Sequence, residues 1–240
     1  MYYKYRNKLF LLILGVCMTL NSVAGEQKGG FRLDTTRVIF PSESESTSFR
    51  AVNSTKENVW LLKAWVSEFE STNTDNIPFF ISPPLIRINE NESTQFRINK
   101  LPEANHLPKD KESIFHVNVM AVPPSRDTKD NAGYVELSVV HQIKLFYRPK
   151  SIDNKKDIEG VHKKIKVIRD KEGVRIKNPT PYYASLGNVL LNDKEVRVET
   201  SNTIAPFSDL VIPSKDNVKS ITFQLINDFG GLSRPVSVIL

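Results

Sequence analysis

The side chains best suited to acid–base or metal chemistry near neutral pH are four histidines, His106, His116, His141 and His162. They are scattered, and none belongs to a metal-ligand motif, so each is expected to be a surface or structural residue. Glu43 and Glu45 in SESES are close enough for paired-carboxylate work, but their serine-rich setting marks a solvated loop. The glycines build no phosphate cradle: GEQKGGF lacks the Lys-Ser/Thr ending of a P-loop, and no G-x-G-x-x-G follows a strand. H-E-x-x-H and G-x-S-x-G are both missing. Enzymatic function is left with a single form, an exported hydrolase whose site is assembled in space, and no motif supports it. No cofactor or metal is expected, and the chain is read as a non-enzyme.

The elements that carry these residues begin after a distinct leader. MYYKYRNK has three cations and no acid, LFLLILGVCMTL is a short apolar run, and NSVAG supplies small residues after which cleavage is expected at Ala24. This is the layout of a secretory signal, and residues 1–24 are read as one. The run is short for a membrane span and nothing later approaches that length, so no stable membrane insertion is expected. Loss of Lys4, Arg6 and Lys8 takes the formal charge from +6 to +3. A surplus so small, spread over the chain, gives no clustered footprint for nucleic acid. The single cysteine, Cys17, lies in the leader, so the mature chain has neither disulfides nor thiol chemistry.

Beyond the leader, short alternating or β-branched segments recur between Ser-, Asn- and Pro-rich turns. FRLDTTRVIF, STSFRAVN, VWLLKAWVSEF, FFISPPLIRIN, STQFRIN, SIFHVNVMAV and YVELSVVHQIKLFY read as seven strands, which suits an antiparallel sandwich of the immunoglobulin type. NHLPKDKESIF has room for a turn of helix. RPKSIDNKKDIEG breaks the pattern with a proline and many charges, and the domain junction is placed there. KIKVIRD, GVRIKN, YYASLGNVLLN, KEVRVET, SITFQLIND and RPVSVIL then predict a second β-sandwich. The expected division is residues 25–149 and 150–240, with no sequence repeat between the halves.

One strand stands out by its length. In GYVELSVVHQIKLFYRPK, Val135, Leu137 and Val139 share a face, because side chains in a strand alternate with period two. Such a face usually packs into its own core. Together with LPKDKESIFHVNVMAVP, the segment QIKLFYRP resembles the periplasmic pilus (fimbrial) chaperones of the chaperone–usher pathway. The likeness extends from LDTTRVIF at 33–40 through NPTPYY at 178–183 to INDFGG at 226–231, in family order. The short, cysteine-free loop PPSRDTKDNAG places it with the short-loop branch, which builds rod-like pili with adhesive tips. His116 departs from the family, standing where an aromatic residue or Thr is usual.

The resemblance implies an all-β fold of two immunoglobulin-like sandwiches at an angle with a cleft between them, in a protein exported to the periplasm. It implies donor-strand complementation: Val135, Leu137 and Val139 would fill the open core of a pilus subunit, which is then delivered to an outer-membrane usher. Arg37 and Lys144 match the cleft pair that holds the subunit's C-terminal carboxylate. Glu112, Arg148 and Asp228 match positions that fix the angle between the domains. Exposed strand edges of two free copies would also allow self-association. The rival from another class is a secreted two-domain adhesin or structural pilus component, in which the long strand is buried within its own chain.

Overall fold

The computed structural model describes residues 30–56, 58–123, 137–198 and 201–240. The leader 1–24, Val135 and most of the PPSRDTKDNAG loop lie outside the described residues. The first half holds β1 (Phe31–Leu33), β2 (Arg37–Pro41), β3 (Ser46–Asn53), β4 (Trp60–Glu68), β5 (Phe79–Ser82), β6 (Leu85–Ile88), β7 (Ser93–Lys100), β8 (Ser113–Val122) and β9 (Val139–Arg148). Two sheets form, with strand orders β1-β3-β7-β5 and β2-β9-β8-β4-β6. Period-two alternation sends Phe49 and Ala51 of β3, Leu62, Ala64 and Val66 of β4, and Phe96 and Ile98 of β7 into the shared core. Phe40 of β2 and Leu145 of β9 complete it with no exposed surface.

The segment FRLDTTRVIF is two strands where one was expected. β1 pairs antiparallel with β3, whereas β2 pairs parallel with β9 in the opposite sheet. The Thr35 hydroxyl turns the chain between them, donating to the Arg37 carbonyl at 2.6 Å, while Asp34 accepts from the Arg50 amide at 3.1 Å. Side chains of Thr and Asp compete with the ladder for backbone groups in this way. FFISPPLIRIN is likewise split into β5 and β6, which lie in different sheets, because Pro83 and Pro84 have no N–H to give a ladder. The helical turn expected within NHLPKDKESIF falls earlier in the chain, as a 3-10 turn at Pro102–His106 that shares only Asn105 and His106 with that segment.

The second half holds β10 (Lys166–Asp170), β11 (Gly173–Lys177), β12 (Ala184–Leu191), β13 (Lys194–Glu195), β14 (Thr203–Ile204), β15 (Asp209–Pro213), β16 (Ser220–Leu225) and β17 (Val236–Ile239). One sheet runs β10-β11-β15 and the other β13-β12-β16-β17, with β14 added to β12. Val174, Ile176, Leu186, Ile212, Ile221 and Phe223 meet between them. KEVRVET gives only the two residues of β13. Val196 and Val198 still pack on this core, but outside a ladder. The sequence reading missed β14, β15, which ends on Pro213, and two short helices in the junction, α1 (Lys155–Glu159) and α2 (Val161–Lys164). Asn154 caps α1 by accepting from the amides of Lys156 and Asp157, and Ile158 and Val161 turn an apolar side to the second core.

Each sandwich closes one end with the same buried corner. After β3, the Asn53 side-chain amide donates to the carbonyls of Asn58 and Asn89 at 2.7 and 2.8 Å, and its oxygen accepts from the amide and hydroxyl of Thr55. After β11, Asn178 donates to the carbonyls of Tyr182, Ile204 and Ala205 and accepts from the amide and hydroxyl of Thr180. The halves therefore share an Asn-x-Thr element that is too short to show as a sequence repeat. Asn53→Ala would leave the buried Thr55 amide and two part-buried carbonyls without this partner, and a loss of roughly 1–3 kcal/mol in urea unfolding is expected.

Candidate functional site

The parallel register of β2 and β9 aligns Arg37 with Lys144, and the antiparallel register of β8 and β9 aligns Lys144 with His116. Three residues of chemical interest thus form a row across one sheet. They point away from the first core, because Val38, Phe40, Leu145 and Tyr147 occupy the alternate positions. The same period carries Lys144, Phe146 and Arg148 along β9, with Glu112 opposite Arg148 just before β8. This face meets the second sandwich and forms one wall of the cleft.

Arg148 clamps the two sandwiches together. Its Nε donates to Glu112 at 2.8 Å, while Nη1 and Nη2 reach the two carboxylate oxygens of Asp228 at 2.7 and 3.0 Å. The second oxygen of Glu112 accepts from the Tyr183 amide at 2.7 Å, so the carboxylate is itself tied across the cleft. Burial works against the charge of Arg148, but hydrogen bonds to Asp228 and the charges of Glu112 and Asp228 hold it above its ordinary pKa. A planar fork meeting a carboxylate through two parallel bonds fixes orientation as well as energy. Tyr182 adds its ring beneath Arg148 and donates its hydroxyl to the Ile152 carbonyl.

Arg37 and Lys144 are held less completely. Arg37 Nη1 donates to the Ile226 carbonyl at 3.1 Å, its guanidinium lies over the Phe146 ring, and its buried Nε has no hydrogen-bond partner among the described residues. Lys144 Nζ donates to Asn202 Oδ1 at 3.0 Å and to the Thr203 hydroxyl, both from the second sandwich. Burial first, and then the neighbouring charge of Arg37, lower the Lys144 pKa to about 8. Arg37 faces a cavity of about 530 Å³ shared with Arg148, Tyr183 and Phe229, and Lys144 faces another of about 730 Å³ shared with His116, Val189 and Asn202. Of the interdomain partners, Tyr183 and Ile226 lie in the NPTPYY and INDFGG segments but contribute only backbone atoms, and Asn202 and Thr203 carry no motif that sequence reading could pick out.

At the other end of β9 the chain leaves the sandwich. Leu137 is 73% exposed and Val139 52% exposed, although Val139 pairs with Ala121. Farther along the same face His141 packs edge-on against Phe31, Ile143 is partly buried, and Leu145 and Tyr147 belong to the core. The aliphatic face is thus uncovered at Leu137 and Val139 and filled from within beyond them. The other histidines stand apart: His106 ends the 3-10 turn and His162 lies on α2. No group of three or more His, Cys, Asp or Glu side chains able to hold a metal occurs among the described residues, and no helix there is long and apolar enough to cross a membrane.

Two sandwiches joined by a buried arginine clamp, with a cation row on the wall between them, define a pilus-chaperone architecture, and sequence comparison agrees. Residues 30–153 match the family of pili and flagellar-assembly chaperones, PapD N-terminal domain, and residues 160–237 match its C-terminal domain counterpart; the chain belongs to this family. It is similar to the uncharacterized fimbrial chaperone YqiH of Escherichia coli K12, at 31% identity, spanning 96% of this chain and 91% of the relative. The chaperone protein FimB/FhaD of Bordetella pertussis is 30% identical over 96% of each chain. Among solved structures, a chain of the Salmonella enterica SafA pilin–SafB chaperone complex superposes with a TM-score of 0.77 at 26% identity, covering 88% of this chain and 96% of that one. The E. coli chaperone DraB superposes at 0.76 with 27% identity, over 89% and 98%.

Lys144 carries a pH signature. Its folded-state pKa of about 8 lies below the unfolded value, so its charge costs stability below pH 8, and the cost disappears as pH rises toward 10. After allowance for solvent screening, Lys144→Met is expected to be more stable than the unaltered chain at pH 7 by on the order of 1 kcal/mol. Urea unfolding of both proteins at pH 7 and pH 10 should show this gap closing.

Proposed function

We propose that this chain is a periplasmic, non-enzymatic chaperone that binds pilus subunits by donor-strand complementation and passes them to an outer-membrane usher. The observation that carries the reading is the position of Arg37 beside Lys144, on the strand whose far end presents Leu137 and Val139 uncovered. An incomplete subunit exposes unpaired strand edges and a groove of core residues, and such surfaces aggregate. A strand lent by this chain would satisfy those backbone groups while its alternate side chains fill the groove. With Val135, Leu137 and Val139 buried, the gross gain is roughly 5–9 kcal/mol before ordering costs.

Arg37 and Lys144 act as anchor for the subunit's terminal carboxylate. Nη2 of Arg37, which makes no hydrogen bond among the described residues, and a Lys144 held only by neutral oxygens supply donors that a carboxylate can take up. Anchoring sets register, since a slip of one residue would turn every donor side chain to the wrong face. Glu112, Arg148 and Asp228 hold the sandwiches so that both sides of the anchor stay in place. We divide the chain into a signal peptide at 1–24, an N-terminal domain at 25–149 and a C-terminal domain at 150–240; the separate hydrophobic cores support the inner boundary. Release needs no nucleotide, because the next subunit can exchange its own strand for the lent one. The uncovered strand favours this reading over an adhesin, whose long strand would be filled from within.

Two charge-assisted contacts are worth about 1.5–3 kcal/mol each, so replacing both Arg37 and Lys144 by Ala should weaken subunit capture by at least about a hundredfold. Co-purification with a pilus subunit of the same organism, with folding checked by circular dichroism, provides the measurement; undiminished recovery would exclude the anchor. Leu137→Glu should reduce capture for a different reason, by driving an unpaired charge into the subunit's core. Affinity equal to that of the unaltered chain would mean that this face does not enter the subunit.

A further inference from the structure

His116 extends the cation row on the side away from Arg37, directly opposite Lys144 in the β8–β9 ladder. Residues so paired have Cβ atoms about 4.5–5.5 Å apart, close enough for both side chains to reach one small anion. The ring is fixed. Its Nδ1 accepts from the Glu70 amide at 3.4 Å, and Phe69 packs against it with centroids 4.8 Å apart. Acceptance at Nδ1 assigns the proton of the neutral ring to Nε2. Nε2 makes no hydrogen bond among the described residues, and the side chain lines the same cavity as Lys144 and Asn202.

We propose that His116 is a third ligand of the chain-end carboxylate, donating from Nε2 beside Lys144, and that the ring takes a proton from solvent at Nδ1 as the anion settles, giving up the long bond from the Glu70 amide. This rests on the function proposed above and adds to it a proton-linked step. Several charged groups face the ring: Lys144 from β9 with Arg37 beyond it, Glu70 from the segment after β4, and Glu195 and Arg197 across the cavity from the second sandwich. In the free chain, burial and then the Lys144 charge depress the His116 pKa, against a smaller opposing effect of Glu70, so the ring is neutral at pH 7. A carboxylate bound next to it reverses the balance of charge and draws a proton on. The carboxylate itself stays ionised well below pH 5, so the uptake belongs to the ring. Lys144 titrates near 8, in a separate window.

The test uses the full chain, free and in complex with a pilus subunit of the same organism, and follows the His116 ring by NMR with His116→Gln as the assignment control. The His116 pKa should rise by at least about one unit on complex formation, and the complex should be about three- to tenfold tighter at pH 5.5 than at pH 7.0. His116→Gln, which removes the titrating ring, should lose that dependence, while the fall in affinity above pH 8 due to Lys144 persists. A pKa that is unchanged or lowered in the complex, or a Gln variant with the unaltered pH profile, overturns the role of His116. If replacement of Arg37 and Lys144 abolishes capture in the same assay, that result removes His116 alone and leaves the anchor standing. Failure of the unaltered chain to capture the subunit overturns both.

Discussion

Two positive side chains, Arg37 and Lys144, face each other across neighbouring strands where little water reaches, and much of the cleft serves to tolerate that repulsion. Like charges directly opposite in a ladder destabilise it. Here the pair is accommodated by the Ile226 carbonyl, by Asn202 and Thr203, and by the field of Asp228 and Glu112. None of these gives either cation a full counter-charge, because Asp228 and Glu112 are already committed to Arg148. The result is a site with positive potential in reserve. Such a site is suited to one small anion and poorly suited to remaining empty.

The arrangement depends on a break in the first strand. If FRLDTTRVIF ran on in one sheet, Arg37 would stay beside β3 and the cation pair would not exist. The turn at Thr35 moves the chain to the other sheet, and β2 becomes the parallel neighbour of β9. Gly230, with φ of +83°, approaches this same turn so closely that a Cβ there would lie 2.6 Å from the Thr36 hydroxyl. The loop that carries Asp228 to Arg148 therefore also rests on the strand switch. Orientation of the sandwiches and placement of Arg37 are accordingly one arrangement.

Alternation was the strongest signal in the sequence, and it located most strands because both faces of each sheet obey it. Period two also fixes Lys144, Phe146 and Arg148 on one face, which makes the wall of the cleft legible before any coordinates. It also explains how Lys144 sits on the opposite parity from Val139: the aliphatic face runs into the groove between the sheets, and the cation faces the second sandwich. What alternation misses is how strands are distributed. The split at Thr35 and the prolines that separate β5 from β6 change sheet membership without changing pattern. β15 begins three residues after Pro206 and ends on Pro213, and the prolines mask it as a run. The groups that meet the cation pair from the far side, Asn202, Thr203 and the Ile226 carbonyl, are brought near only by tertiary contact, and a backbone oxygen has no signature of its own in a sequence.

The paired Asn-x-Thr corners bear on how the two halves respond to load. Each buried amide spends its hydrogen bonds on carbonyls of its own sandwich, Asn53 within the first and Asn178 within the second. Neither latch borrows an atom from across the cleft. A swing of one half against the other would thus stretch the Arg148 clamp and the Lys144 contacts while leaving both barrel ends shut, so mechanical stress from a departing cargo is confined to the joint and does not reach either interior.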